Sequence, residues 1–304
     1  MCGALLCVAL ASGATRAAQD PATGSAAEPT ATSAPKEIPF AELPGASNPD
    51  IASRWREGMQ LEANEDLLAS ALVYEDITRR VPGQPHTYWR VAKNYWRYGS
   101  RLPSDDTDAR TRYFTLTEQW ADRGLAIDPK CGECCLYKVA GMGGLIRLKG
   151  SVLGATQAST IADLLERGIA AINERPHPER NPELEELYFA AAQFYKGVPE
   201  WFWLKWVIGV RGSRSRALEY LRKANAVAGQ RPAYMVELGA MLLCSGKEDG
   251  DPAASAEGMK TLREVMALKT DDPDDAVDQA HANILLSNPE KACAYSREEW
   301  TRKQ

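Results

Sequence analysis

The residues able to do chemistry in this 304-residue chain are few and scattered. Cys131 and Cys134 have the spacing of a metal half-site or a redox pair, and Cys135 stands beside them. A structural zinc site needs four ligands; no second Cys-x-x-Cys follows, and His86, His177 and His281 lie at no ligand-like spacing from the first. What remains for Cys131, Cys134 and Cys135 is a disulfide, favoured in an oxidising compartment, or burial as small apolar side chains. Asp271, Asp272, Asp274 and Asp275 surround Pro273, but the alternating oxygen ligands and closing glutamate of a calcium loop are missing. Asp272 as a helix N-cap with Pro273 at the first helical position is the better reading. There is no Gly-x-Ser-x-Gly, no His-Glu-x-x-His and no phosphate-loop glycine pattern. The expectation is a protein that is not an enzyme and needs no metal or cofactor.

Recognition is the other chemistry these residue types allow, because Trp, Tyr, Lys and Arg interleave along several segments. They can act together only if the fold puts them on one face. A repeat does this. Gly58 and Leu61 recur 34 residues on as Ala92 and Tyr95, with Ser70, Tyr74, Ile77 and Pro82 between them. A first helix with a small residue where its partner crosses, a second with small and bulky residues a turn apart, and a proline that stops it form a tetratricopeptide-type (TPR) pair. Leu238, Gly239 and Leu242 follow Ala224 at the offsets that separate Val91, Ala92 and Tyr95 from Ile77.

Five such pairs can be traced. The second holds an insertion, GSRLPSDDTDAR, before a helix that turns Trp120, Gly124 and Ile127 inward. The third joins CGECCLYKVAGMGGLIRL to a helix near 156–173. In the fourth, ELEELYFAAAQFYKG leads through a Trp-rich connector to SRALEYLRKANAV, with Ala217, Leu221 and Ala224 inward. In the fifth, the loop SGKEDGDPAAS separates YMVELGAMLLC from AEGMKTLREVMALK. A helix from about Asp274 to Leu286 caps the row. The expected fold is all-α: a right-handed superhelical α-solenoid of about five TPR-like pairs with long intra-pair loops and a capping helix.

In such arrays the first helix of each pair lines the concave face, at positions alternating with the core stripe. Those positions carry Trp55 and Met59, then His86, Trp89, Lys93, Trp96 and Arg97, then Tyr188, Ala192, Tyr195 and Lys196. A groove of this kind suits an extended peptide or a small apolar or anionic solute, since aromatic area drives burial while cations hold carboxylates or carbonyls. The other reading is that the aromatics pack against neighbouring helices. The connector carries Trp201, Trp203 and Trp206 with Lys205 and Arg211. It is a candidate lid or oligomer contact, an interfacial membrane contact, or a loop folded over the core.

Lys and Arg are outnumbered 36 to 41, for a net charge of -5, which excludes a phosphate-neutralising nucleic-acid binder. Residues 1–17 read as a secretory signal: GALLCVALASGA is short, apolar and followed by small residues. Leu6 before Cys7 spoils a lipobox, so no lipid anchor is expected. Residues 18–48 are rich in Ala, Thr, Ser, Pro and Glu and read as a disordered linker to the repeat domain at 49–304. Later apolar runs are too short to cross a bilayer. Together these place the protein in the periplasm or otherwise outside the cytoplasm.

The segment VIGVRGSRSRALEYLRKA, with YWRVAKNYWRYG and ADRGLAIDPKC, resembles degenerate TPR proteins related to two families. These are the T-component of tripartite ATP-independent periplasmic transporters and the regulators of microtubule dynamics. The resemblance covers roughly residues 51–290. On the transporter side it implies an exported scaffold, associated with a solute or partner and able to oligomerise, standing beside a substrate-binding protein.

Overall fold

In the computed structural model, which describes residues 48–200, 204–270 and 272–301, antiparallel helix pairs follow one another in a row. The pairs are α1 (Pro49–Ala63) with α2 (Leu67–Arg80), α3 (Pro85–Arg101) with α4 (Thr107–Ile127), and α5 (Gly132–Lys149) with α6 (Ser151–Asn173). After them α7 (Pro182–Gly197) passes through the short α8 (Leu204–Ile208) to α9 (Arg214–Ala228), and α10 (Pro232–Asp249) pairs with α11 (Pro252–Ala267). A cap, α12 (Pro273–Ser287), leads into a 3-10 turn at Pro289–Ala294 and a last short helix, α13 (Arg297–Thr301). No strand occurs among the described residues, and the architecture is an all-α solenoid. The leader, the linker up to 47, and Trp201 and Trp203 lie outside the described residues.

Local chemistry starts these helices. Asn48, Asp66, Asp106, Asn181, Ser213, Asp251 and Asp272 each cap a helix by accepting a main-chain N–H from its first turn. Proline follows the cap at Pro49, Pro182, Pro252 and Pro273, where its missing N–H costs nothing. Each cap contributes about 1 kcal/mol.

Small residues then set the crossings. A Cβ on Gly58 would lie 2.9 Å from the Tyr74 ring, and one on Gly239 would lie 2.7 Å from Leu262. Both are the small positions of the repeat. Tyr74, Phe114, Phe194 and Tyr234 fill the interior between helices. At the centre, α5 packs against α3, α4, α6 and α7. Every residue of α5 from Gly132 to Ile146 except Lys138 is buried.

The connections are shorter than the sequence suggests. α3 runs to Arg101 and α4 starts at Thr107, so most of GSRLPSDDTDAR is helical. α10 runs to Asp249, leaving only Gly250 and Asp251 before α11. These stretches look like loops because the last helical turns are built from Gly, Ser and charged residues. Arg101 pairs there with Glu65, and Asp249 takes the Ser245 hydroxyl and the Arg214 guanidinium. The long connection that survives joins α7 to α9. α6 begins at Ser151 rather than near 156, after a turn at Gly150 with φ 94°. Ile127, expected to face inward, is exposed.

Candidate functional site

The first helices of the first two pairs gather charge around one carboxylate. Glu62 lies four residues after Gly58 on α1, and the facing stripe of α3 brings three cations to it. Arg90 Nη1 is 3.1 Å from Glu62 Oε2, Lys93 Nζ 3.2 Å and Arg97 Nη1 3.5 Å from Oε1. Lys93 Nζ also reaches across to Glu183 Oε1 on α7 at 3.5 Å. Arg97 continues outward to Glu65, at 2.9 and 3.0 Å. Arg90 lies beneath this network with its guanidinium carbon 5.0 Å from the Trp55 ring centre and 4.9 Å from that of Trp89. Its Nη1 also donates to the Tyr74 hydroxyl at 3.4 Å. Rings on both sides suit a planar cation.

Burial and charge work against each other here. Burial pushes the Glu62 carboxyl up, but Lys93, Arg90 and Arg97 overcome it and hold the group at about 2. For Glu183 burial prevails over Lys93, and its carboxyl is raised. Lys93 loses by burial and gains more from Glu62 and Glu183, so its ammonium is held more firmly than usual. Lys93 and Arg97 remain 23% and 21% exposed, whereas Arg90 is buried.

The aromatics of the expected groove are placed differently. Trp55, Trp89 and Trp96 are buried. Trp89 stacks on Tyr137 of α5, 6.0 Å between centroids and 8° between planes, and Trp96 meets the same ring at 6.5 Å. Trp89 Nε1 donates to His86 Nδ1 at 3.4 Å, and burial lowers the pKa of that imidazole. Met59 is half-buried beside the core of the first pair.

Tyr188 and Tyr195 require a correction, because they face the second helices rather than the groove. Asn173 Nδ2 donates to the Tyr188 hydroxyl at 2.9 Å, while the Tyr195 hydroxyl donates to Glu166 at 3.0 Å. Tyr195 stacks on Tyr220 of α9 at 5.9 Å. The cause is the run Ala190, Ala191, Ala192: any of the three can serve as the small crossing residue. With Ala192 in that place, Tyr188 and Tyr195 become the equivalents of Tyr88 and Tyr95, which flank Ala92. Lys196 stays on the concave side, bonded to Glu237 at 2.8 Å.

Sequence reading missed Glu62, Arg90, Glu183 and Glu133. Glu62 was legible, since it occupies in the first unit the place of Trp96 in the second. Glu133 is buried on α5, where Arg175 at 2.9 Å and Asn181 at 2.8 Å hold it. Burial opposes ionisation of Glu133, but Arg175 lowers its pKa. No local pattern announces that cluster.

Of the cysteines, Cys131 and Cys134 form a disulfide at the start of α5, and Cys135 is a buried free thiol pushed up by burial to about 11. A second disulfide joins Cys244 and Cys293. A Glu248 carboxylate oxygen lies within 4.8 Å of both of those sulfurs. The bond between them removes the thiolates a metal would need, and Arg214 engages Glu248. In the connector Trp206 is 88% and Val207 69% exposed, and Arg211 is also exposed. No described helix is long and apolar enough to cross a membrane.

No protein-family profile and no curated protein matches the chain. Among solved structures it is similar to the crystal structure of a thermophilic TPR protein of Thermus thermophilus, with a TM-score of 0.51 at 16% identity, covering 77% of this chain and 100% of that one. A MamA RS-1 ArsTM double mutant gives a TM-score of 0.45 at 14% identity, with 71% and 94% covered. At these identities the first likeness shows a TPR-like fold and nothing further.

Proposed function

We propose that this protein is an exported, non-enzymatic TPR-like scaffold whose concave floor holds an extended, carboxylate-bearing segment of a partner protein. The observation that carries this reading is the convergence of Arg90, Lys93 and Arg97 within 3.5 Å of the single carboxylate Glu62, with Lys93 also reaching Glu183, whose ionisation burial opposes. An incoming carboxylate can take the place of Glu183 on Lys93 and share Arg97 with Glu65, making charge-assisted hydrogen bonds in a partly desolvated setting. A small apolar solute gains little from Trp89 and Trp96, since Tyr137 already fills the space between them. Two disulfides support export to an oxidising compartment. If the protein stands beside a solute transport system, as the resemblance implies, the partner would be its substrate-binding protein.

Photo-crosslinking from position 59, three residues before Glu62 on α1, tests the reading. It predicts capture of acidic segments, lost in Lys93→Met/Arg97→Met. Capture that is unchanged in that variant, or that shows no preference for acidic segments, refutes it. A second reading, a homo-oligomer or envelope adaptor, is favoured by the exposed Trp206 and Val207. Sedimentation of Trp206→Ser against the parent chain decides that one.

A further inference from the structure

The last pair carries the same concave row as the second with different side chains. Counted from the small crossing residue, Ala240, Leu243 and Cys244 of α10 hold the places of Lys93, Trp96 and Arg97 in α3. Glu237 and Lys196 repeat the Arg90–Glu62 pair with the charges exchanged, at 2.8 Å against 3.1 Å. A charged floor in one unit has thus become an apolar one in another.

That apolar floor is filled by the chain itself. The turn Pro289–Ala294 lies along α10, and Ala292 and Tyr295 share a core with Met235, Val236, Ala240 and Leu243. Lys196 Nζ, while holding Glu237, donates to the main-chain carbonyl of Tyr295 at 3.1 Å. A lysine used this way reads peptide backbone whatever the side chains are. Tyr295 is the aromatic anchor: it is buried, with its hydroxyl 3.2 Å from His281 Nδ1 and Trp300 packed edge-on to its ring. Arg297 fastens the far side to Asp278 at 2.6 and 3.1 Å. The buried Cys244 is bonded to Cys293, which is exposed and open to a reductant.

We propose that the concave face of the fifth pair is a second peptide site, occupied in this structure by the chain's own residues 289–297, and that the Cys244–Cys293 disulfide is the latch that keeps another peptide out. This rests on the concave side being the binding side. The ligand class is a peptide with a small residue at the place of Ala292, an aromatic at that of Tyr295, and a cation two residues later. The latch opens by exchange with a dithiol. One thiolate of the dithiol attacks Cys293 Sγ, the Cys244 sulfur leaves, and the second thiolate closes the reductant's own disulfide and frees Cys293. Two electrons pass to the protein, which takes up two protons as two thiols form.

The test uses the full chain and a labelled synthetic peptide of residues 288–301 carrying Cys293→Ser. The peptide should bind at least tenfold more tightly to Cys244→Ser/Cys293→Ser, or to the dithiothreitol-reduced chain, than to the oxidised chain. Tethering keeps the native segment competing, so the gain is limited. Hydrogen exchange on the same samples should quicken in 289–301 on reduction, while 232–267 keeps its protection. Equal peptide binding to oxidised and reduced chain, unchanged exchange in 289–301, or loss of protection through the whole fifth pair would each overturn the proposal. None of these outcomes touches Lys93 or Arg97, so the charged floor stands or falls on its own experiment.

Discussion

Replacing Glu62 by Gln removes the one carboxylate that three cations share, while replacing Glu183 by Gln removes a carboxylate whose ionisation burial opposes. In the folded protein the Glu62 carboxyl sits at about 2 against an ordinary 4.5. At about 1.4 kcal/mol per pH unit this is worth about 3 kcal/mol of stability at neutral pH. A depressed carboxyl stabilises fully above its unfolded value, so the contribution is complete above 4.5 and drains away as pH falls towards 2. The loss from Glu62→Gln should be of this size or somewhat more, because the buried Arg90 keeps its charge without its partner. Glu183 has the opposite sign: its raised carboxyl means that ionisation is harder in the fold than in the unfolded chain. Glu183→Gln should therefore be neutral or slightly stabilising at pH 7. Urea unfolding followed by circular dichroism, at pH 7 and at steps down to pH 2, measures both. Equal losses from the two substitutions at pH 7, or a Glu62→Gln deficit that persists undiminished at pH 2, would refute the reasoning.

Other perturbations read other parts of the molecule. The Cys244–Cys293 bond spans 49 residues, so its removal should cost about 4 kcal/mol by loop entropy, against about 2 kcal/mol for Cys131–Cys134; non-reducing and reducing melts of the serine variants compare them. His281 is lowered to about 4 by burial and by Arg297; its folded state resists protonation, so stability should fall as pH drops from 6.5 towards 4, and His281→Asn should flatten that slope. Tyr195→Phe should cost about 1 kcal/mol through its lost bond to Glu166 and leave crosslinking from position 59 unchanged; a loss of crosslinking would return Tyr195 to the groove. Gly58→Ala should destabilise by about 1–3 kcal/mol in thermal melts, since its methyl group meets the Tyr74 ring.

Much of the array was legible because its signals are local. Gly58, Ala92 and Gly239 mark crossings, and Pro82 and Pro129 end second helices. Asp272 with Pro273 opens the cap, and the structure shows Asp272 accepting the Asp274 N–H. Where several residues satisfy the same local rule, the sequence cannot choose among them, and the alanine run in α7 hid the true places of Tyr188 and Tyr195. The charged floor was half-visible: Lys93 and Arg97 have the right spacing, but their partners Glu62 and Glu183 come from α1 and α7. Only the third dimension brings those together. The final turns of α3 and α10 resembled loops because irregular backbone favours the same Gly, Ser and charged residues.

Repeat arrays are commonly pictured as stacks from which units can be shaved one at a time, each contributing its own increment. The enclosure of α5 by four other helices argues against that picture here. Fraying from either end should halt at the third pair, because exposing α5 would uncover a helix with almost no water-compatible side. Shortened versions of this protein should therefore behave as a resilient middle with dispensable flanks, and a chain cut within 132–146 should have no half that folds.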